Sequence, residues 1–267
     1  MSPSKIKNTI EVENIEVVYK LEERKIHAVK DASFNVAEKK MLGIIGETGS
    51  GKSSLIRALN GLIKSPGDVK FNNLKILDEV GTQNEFNFNK LRGKNVGFIP
   101  QNPFGSLNPV YKISKQFNFI NKRHKIYDVK ILPDKINEAL IDVGINDPDR
   151  VKNSYSFELS GGMAQRVVIA LATFSKPRLL FADEPTTGLD VTVERQLLDN
   201  FFDFVKNKNL TLVLVTHDLG IVAQYCDEAL VMYKGEIVEK GSVNEIFKNP
   251  RDSYTQQLIK ASSEDIS

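Results

Sequence analysis

Gly46-Glu47-Thr48-Gly49-Ser50-Gly51-Lys52-Ser53 decides how this chain is read. An apolar run, Met41-Leu42-Gly43-Ile44-Ile45, precedes it, and Ser54-Leu55-Ile56-Arg57-Ala58-Leu59 follows with helical character. The pattern G-x-x-x-x-G-K-[ST] between a strand and a helix is the phosphate-binding loop, or P-loop. Its glycines let the backbone curl so that successive N–H groups face phosphate oxygens. The helix behind it aims its positive end at the same place. In this reading Lys52 reaches the outer phosphates and the Ser53 hydroxyl ligates Mg²⁺. The alternative is a glycine-rich turn that happens to end in Lys-Ser, and the strand and helix flanks argue against it.

Upstream, Ile10 to Tyr19 is β-branched and partly alternating, as in a half-buried strand, and Ala32 to Val36 is a second such run. A further short strand is expected near residues 69–76 with a turn at Asn72-Asn73. Together these predict a small antiparallel sheet beside a nucleotide core. Tyr19 closes the first strand, either as a platform for an adenine ring or as a strand-end packing residue.

Downstream, residues 94–99 form a core strand broken by Pro100-Gln101-Asn102-Pro103, and the segment from Phe104 to Pro109 reads as a loop. Gln101 follows a strand end, where ligands gather in open α/β folds. Residues 112–150 turn Lys- and Asn-rich with helical spacing, and Ile136, Ala139, Leu140 and Val143 fall on one face between Pro133 and Gly144. The cluster Lys122-Arg123-His124-Lys125 reads as a solvated face. Ser160 is placed to cap a helix opening Gly161-Gly162, with Met163, Val167, Ala170, Leu171 and Phe174 on one face. Free N–H groups with no side chains in the way make that helix start a second candidate anion site.

Arg178 to Ala182 is an apolar strand ending in Asp183-Glu184, a buried strand whose end faces a ligand crevice. Asp183 suits a Mg²⁺ partner through water, and Glu184 suits a group that polarises an attacking water. A turn at Thr186–Asp190 leads into an amphipathic helix with Val193, Leu197, Phe201, Phe204 and Val205 on one side. Leu210 to Val215 is a core strand ended by Thr216-His217-Asp218. A hairpin about Lys234-Gly235 and two short helices, Val243–Lys248 and Tyr254–Lys260, close the chain.

Composition sets limits. Lys and Arg total 36 against 34 Asp and Glu, so charge offers no argument for nucleic acid or an anionic membrane. The single cysteine, Cys226, excludes an internal disulfide and reads as a structural residue in a helix. No run approaches about 18 apolar residues, and Met-Ser-Pro-Ser-Lys lacks the apolar core of a signal peptide. A cytosolic protein is expected, meeting a membrane only through a partner.

Taken together, Tyr19, the loop Gly46–Ser53, Gln101, Leu159-Ser160-Gly161-Gly162-Met163-Ala164-Gln165-Arg166, the strand ending Asp183-Glu184, Gly188-Leu189-Asp190 and His217 resemble an ABC transporter ATPase subunit. The likeness runs over roughly residues 8–262. It implies an α/β fold: a P-loop NTPase (RecA-like) core with an antiparallel β subdomain and a helical insertion carrying the ABC signature. The expected layout is one domain, with core and β subdomain at 8–102 and 173–243, the helical part at 103–172 and a helical tail at 244–267. The resemblance implies that Tyr19 stacks on adenine. It gives Gly46, Glu47, Thr48, Gly49, Ser50, Gly51, Lys52, Ser53, Ser54 and Gln101 to the nucleotide, and Ser53, Gln101 and Asp183 to Mg²⁺. Glu184 and His217 become the catalytic pair, and Asp190 the D-loop residue. Ser160, Gly161, Gly162 and Gln165 cap the ATP held by a second ABC ATPase subunit, so that two ATPs are sandwiched in a head-to-tail pair.

A narrower likeness concerns importers of oligopeptides, dipeptides and nickel. It rests on Gln101 to Pro109, Ser154 to Leu159, Thr186 to Thr192 and the tail Asn249 to Thr255. The chain departs from that pattern at Ser156 and Ser253, where Pro is usual, at Ala164, where Arg is common, and in stopping at 267 without the Cys-containing C-terminal extension, which leaves nickel or metal-chelate members open. The implied partners are two transmembrane permease subunits, a second ATPase chain and, indirectly, an extracytoplasmic substrate-binding protein, with no nucleic acid. The implied place is the inner face of the cell membrane. Two rivals stand beside it: a soluble ABC-type ATPase acting on ribosomes or DNA, and a module that uses ATP only to hold a complex together.

Overall fold

The computed structural model describes residues 7–22, 24–186 and 191–264, with the backbone alone at 191–193 and 263–264. Contacts divide the chain into two compact units, residues up to 90 with those from 211 onward, and Leu91–Leu210. The expected boundaries at 102/103 and 172/173 both fall inside the second unit.

The first unit opens with β1 (Asn8–Lys20) and β2 (Lys25–Ala37), an antiparallel pair, followed by β3 (Met41–Ile45), every residue of which is buried. The P-loop joins β3 to α1 (Lys52–Leu59). The short strand expected near 69–76 is two strands, β4 (Gly67–Lys70) and β5 (Asn73–Ile76), and both pair with β1. Asn72 therefore makes no hairpin turn. Its N–H donates to the Glu13 carbonyl (3.0 Å) and its amide to Asn14 Oδ1 (2.9 Å), just where Asn14 takes a left-handed φ of 54°. The bulged, thirteen-residue β1 is long enough to carry both partners in series. β6 (Glu79–Gly81) completes this antiparallel sheet on β5.

The second unit begins with β7 (Val96–Ile99). Pro103–Ser106, expected as loop, is a single helical turn, α2. Asn102 caps it by accepting from the Gly105 N–H (2.9 Å), with Pro103 at the first helical position, a start signal already written in Asn-Pro. Then come α3 (Ile113–His124), α4 (Leu132–Asp142), α5 (Pro148–Asn153) and α6 (Gly161–Thr173). Gly144, just beyond α4, has a φ of 80° and ends it as expected. Phe117, Tyr127 and Phe174 meet edge-on at centroid distances of 4.8 and 5.2 Å, with Phe174 between the other two. α6 is buried more widely than one face: Ala164, Gln165, Val167, Val168, Ile169, Ala170 and Thr173 are inside, while Met163 and Leu171 are only half-buried. β8 (Leu179–Asp183) is fully buried and runs parallel to β7. α7 (Val191–Asn207) buries Leu197, Leu198, Phe201, Phe202 and Val205, and Val193 lies among the residues whose side chains are not described.

The chain returns to the first unit with β9 (Thr211–Val215), parallel to β3. α8 (Leu219–Tyr225) leads to β10 (Glu228–Tyr233), parallel to β3 on its other edge, and β11 (Glu236–Ser242) turns back against β10. The hairpin turn has left-handed φ at Lys234 (46°) and Gly235 (87°), as a two-residue turn requires. α9 (Val243–Lys248) and α10 (Ser253–Glu264) then pack on a core of Ile45, Leu219, Val222, Ala229, Val231 and Ile246. Cys226 packs at its margin. Burial of the thiol, with Asp227 beside it, pushes it up to about 12.

Candidate nucleotide site

Register places the site residues. Ile44 pairs with Val215, so the P-loop and His217 leave the sheet from the C-terminal ends of neighbouring parallel strands. His217 is exposed between Thr216, whose N–H donates to the Ile44 carbonyl (3.3 Å), and Asp218, which caps α8. In the second unit Ile99 pairs with Ala182, so Gln101 and Glu184 emerge side by side, and the Gln101 amide donates to Glu184 Oε2 at 2.9 Å. Asp183 is fully buried at the end of β8. Glu184 has a φ of 46°, a conformation that costs a non-glycine residue and clusters at working sites.

Gly46 and Gly51 are required by close approach. A Cβ on Gly46 would stand 2.1 Å from the Met232 carbonyl oxygen, and one on Gly51 2.1 Å from that of Ala28. At Gly49 nothing among the described residues other than its chain neighbours lies within 4 Å of that position, so the loop is open there. The Gly235 N–H donates to the Ser50 carbonyl (2.9 Å), which ties the loop to the β10–β11 turn. Lys52 is buried, and its ammonium donates to the carbonyls of Gly46 (2.7 Å) and Glu47 (2.8 Å). Gly51 stands at the N-cap of α1 and brings no side-chain cap, so the helix start, the end that favours anions, carries no capping side chain. Among the described residues the buried Ser50 hydroxyl has no hydrogen-bond partner.

Tyr19 ends β1 opposite Ile26 and Gly67, half-buried, with its hydroxyl 3.3 Å from that of Ser54 on α1. Ser160 caps α6 as expected, accepting from the Met163 N–H at 3.4 Å, and is exposed, with Gly161 and Gly162 half-buried. Gln165 is different. It is 2% exposed, inside its unit, and among the described residues its amide nitrogen has no partner. Thr48 and Glu47 are exposed on the loop, and Ser53 is half-buried at the start of α1. Thr187 to Asp190, including the expected D-loop Asp190, lie outside the described residues.

A family model described as ABC transporter matches residues 29–187. The chain belongs to the ABC transporter family. The cassette is 40% identical over 257 residues to the oligopeptide transport ATP-binding protein OppD of Lactococcus lactis, covering 95% of this chain and 75% of that protein. It is 39% identical to the dipeptide transport ATP-binding protein DppD of Haemophilus influenzae, covering 94% of this chain and 77% of the relative. Among solved structures, a dimeric bacterial ABC transporter cassette, MJ0796, superposes with a TM-score of 0.73 at 25% identity, over 88% of this chain and 98% of that one. The same protein in a post-hydrolysis dimer bound to ADP and phosphate gives 0.71 at 26% identity. CbiO1 of Clostridium perfringens, part of the transporter complex CbiONQ, gives 0.71 at 27% identity over 97% of both chains. The cassette is thus an ATP-binding and ATP-hydrolysing transporter component, and these relatives favour transport over work on ribosomes or DNA. Among the described residues no helix is long and apolar enough to cross a membrane.

The sequence did not point to Tyr233, Gly235 or Tyr254 as neighbours of the P-loop. They lie some 185 to 207 residues downstream; pairing of β10 with β3 brings the first two there, and packing of α10 on the core brings Tyr254. Tyr254 was visible in the tail motif, which carries no hint of what it touches.

Proposed function

We propose that this chain is the ATPase subunit of an importer that takes up peptides through a separate membrane permease. The observation that carries the nucleotide half is a start of α1 with no side-chain cap, behind a glycine loop whose buried Ser50 hydroxyl has no partner among the described residues, an arrangement suited to phosphate oxygens. The cargo rests on likeness to the oligopeptide and dipeptide proteins along nearly the whole chain.

In this reading the loop amides and Lys52 hold the phosphates, and Tyr19 stacks on the adenine. Ser53, Gln101 and Asp183 are oxygen donors of the kind Mg²⁺ takes, a hydroxyl, an amide carbonyl and a buried carboxylate. A bound Mg²⁺ would offset charge on the β- and γ-phosphate oxygens. Glu184 orients or deprotonates the attacking water, and His217 holds the γ-phosphate and that water in place. Ser160, Gly161 and Gly162 close over the nucleotide of a second ATPase chain. A helix start on one chain and a P-loop on the other then share one anion, so ATP joins the pair and hydrolysis loosens it. The segment after Gln101 meets the permease, and an extracytoplasmic binding protein delivers the cargo. The protein works at the inner face of the membrane.

Deletion of the gene should abolish uptake of labelled di- and oligopeptides, and wild type but not Lys52→Ala should restore it. Normal peptide uptake with lost nickel uptake would replace the cargo. Co-purification with ribosomes instead of membranes would overturn the transport role.

A further inference from the structure

One peptide bond of the P-loop is held at both ends. The Gly46 carbonyl accepts from Lys52 Nζ at 2.7 Å, and the N–H of the same peptide, on Glu47, donates to the Tyr254 hydroxyl oxygen at 3.0 Å. Tyr254 belongs to α10, far from the loop in sequence, and both lie in the first unit. Its ring stacks on Tyr233 with centroids 4.1 Å apart and planes at 27°, and Lys234 Nζ stands 4.8 Å from the Tyr233 ring centre. The β10–β11 turn that carries Lys234 also donates the Gly235 N–H to Ser50. The C-terminal segment thus grips the loop twice, at Glu47 and at Ser50.

We infer that Tyr254 is a positioning residue for nucleotide binding, whose hydroxyl fixes the orientation of the Gly46–Glu47 peptide. The inference rests on the nucleotide reading above. Its physical content is directional. Reorienting this peptide turns ψ of Gly46 and φ of Glu47, and with no Cβ on Gly46 the first of these rotations meets little steric resistance. Reversal of this peptide would take the Gly46 oxygen away from Lys52 and swing a carbonyl dipole where the amide stood. Tyr254 opposes that by rewarding only one orientation. Burial holds its phenol above the ordinary range, so it stays neutral near pH 7 and its oxygen remains an acceptor. The same bond takes the Glu47 amide out of the set facing phosphate and leaves that task to the amides of the loop's far side and of the start of α1.

Tyr254→Phe keeps the ring, its stack on Tyr233 and its place in the core, and removes only the hydroxyl. With the full chain and a non-hydrolysable ATP analogue plus Mg²⁺ in a calorimeter, affinity should fall about threefold to tenfold, the worth of one net hydrogen bond. ATPase KM for the paired protein should rise by the same factor while kcat moves less than twofold. Hydrogen exchange of the loop amides at 46–51 should quicken, with the thermal midpoint unchanged. Affinity within twofold of wild type, or a fall in midpoint that tracks the affinity loss without faster loop exchange, overturns the inference and leaves the nucleotide reading intact. A wild-type chain that fails to bind the analogue sinks both.

Discussion

The Gln101 side-chain amide holds the Glu184 carboxylate at 2.9 Å, each residue standing two positions beyond the paired Ile99 and Ala182. The contact keeps a carboxylate proposed to act on water engaged by a residue proposed to bind Mg²⁺. On those roles, Glu184→Gln should keep ATP binding, lower turnover by about 10²- to 10⁴-fold and lengthen the life of the paired state. Steady-state ATPase assays and gel filtration with ATP check it, and undiminished turnover removes Glu184 from the mechanism. Gln101→Ala should cost about tenfold in turnover, with ATP still bound.

Pairing should govern rate. The purified chain is expected to bind ATP but to hydrolyse it with a rate that rises as the square of protein concentration. Gly161→Asp places a carboxylate at the exposed start of α6. It should lower turnover about a hundredfold or more without weakening ATP binding to the same chain's P-loop. A monomer with full activity that stays monomeric with ATP contradicts the shared site.

Cys226 should be inert. A thiol pushed up to about 12 carries roughly a thousandfold less thiolate at neutral pH than an ordinary one. Alkylation by iodoacetamide at pH 7.5 should therefore be slow in the folded chain and normal in denaturant. Rapid labelling of the native protein would contradict this burial.

His124 gives the fold a pH dependence. Desolvation first, then the charges of Arg123 and Lys94, hold its imidazolium below the usual value of 6.5. The fold thus favours the neutral ring. That contribution is fully present above the ordinary pKa and is lost as pH falls through the lowered one. Urea midpoints should drop as pH is lowered below about 6.5, and His124→Gln should flatten part of that slope.

Phe117 should be costly to remove. It is fully buried in α3 against Phe174, so Phe117→Ala should destabilise the second unit by about 3–5 kcal/mol. Thermal melts measure it, and a loss below about 1 kcal/mol would mean the site collapses around the gap.

Much was legible in the chain because short-range chemistry wrote it. The P-loop, the apolar strands β3, β8 and β9, the Ser160 cap, the Lys234-Gly235 turn and the helix Val243–Lys248 all depend on neighbours within a few residues, and each stands where the sequence put it. The capped turn at Asn102-Pro103 was equally local and was passed over. The division of residues 67–76 into two strands on β1 was not legible, because it hangs on a bulge at Asn14 some 60 residues upstream. The depth of Gln165 and the grip of Tyr254 on Glu47 were hidden for the same reason. Sequence by itself determined the local elements on which the proposed chemistry rests, since a glycine loop, a capped helix start and a strand ending in carboxylates are specified by residues in direct succession. Tertiary structure alone decided which distant side chains hold those groups in place. Contacts across 80 to 200 residues, Gln101 with Glu184 and Glu47 with Tyr254, are set by strand register and packing, which no local pattern encodes.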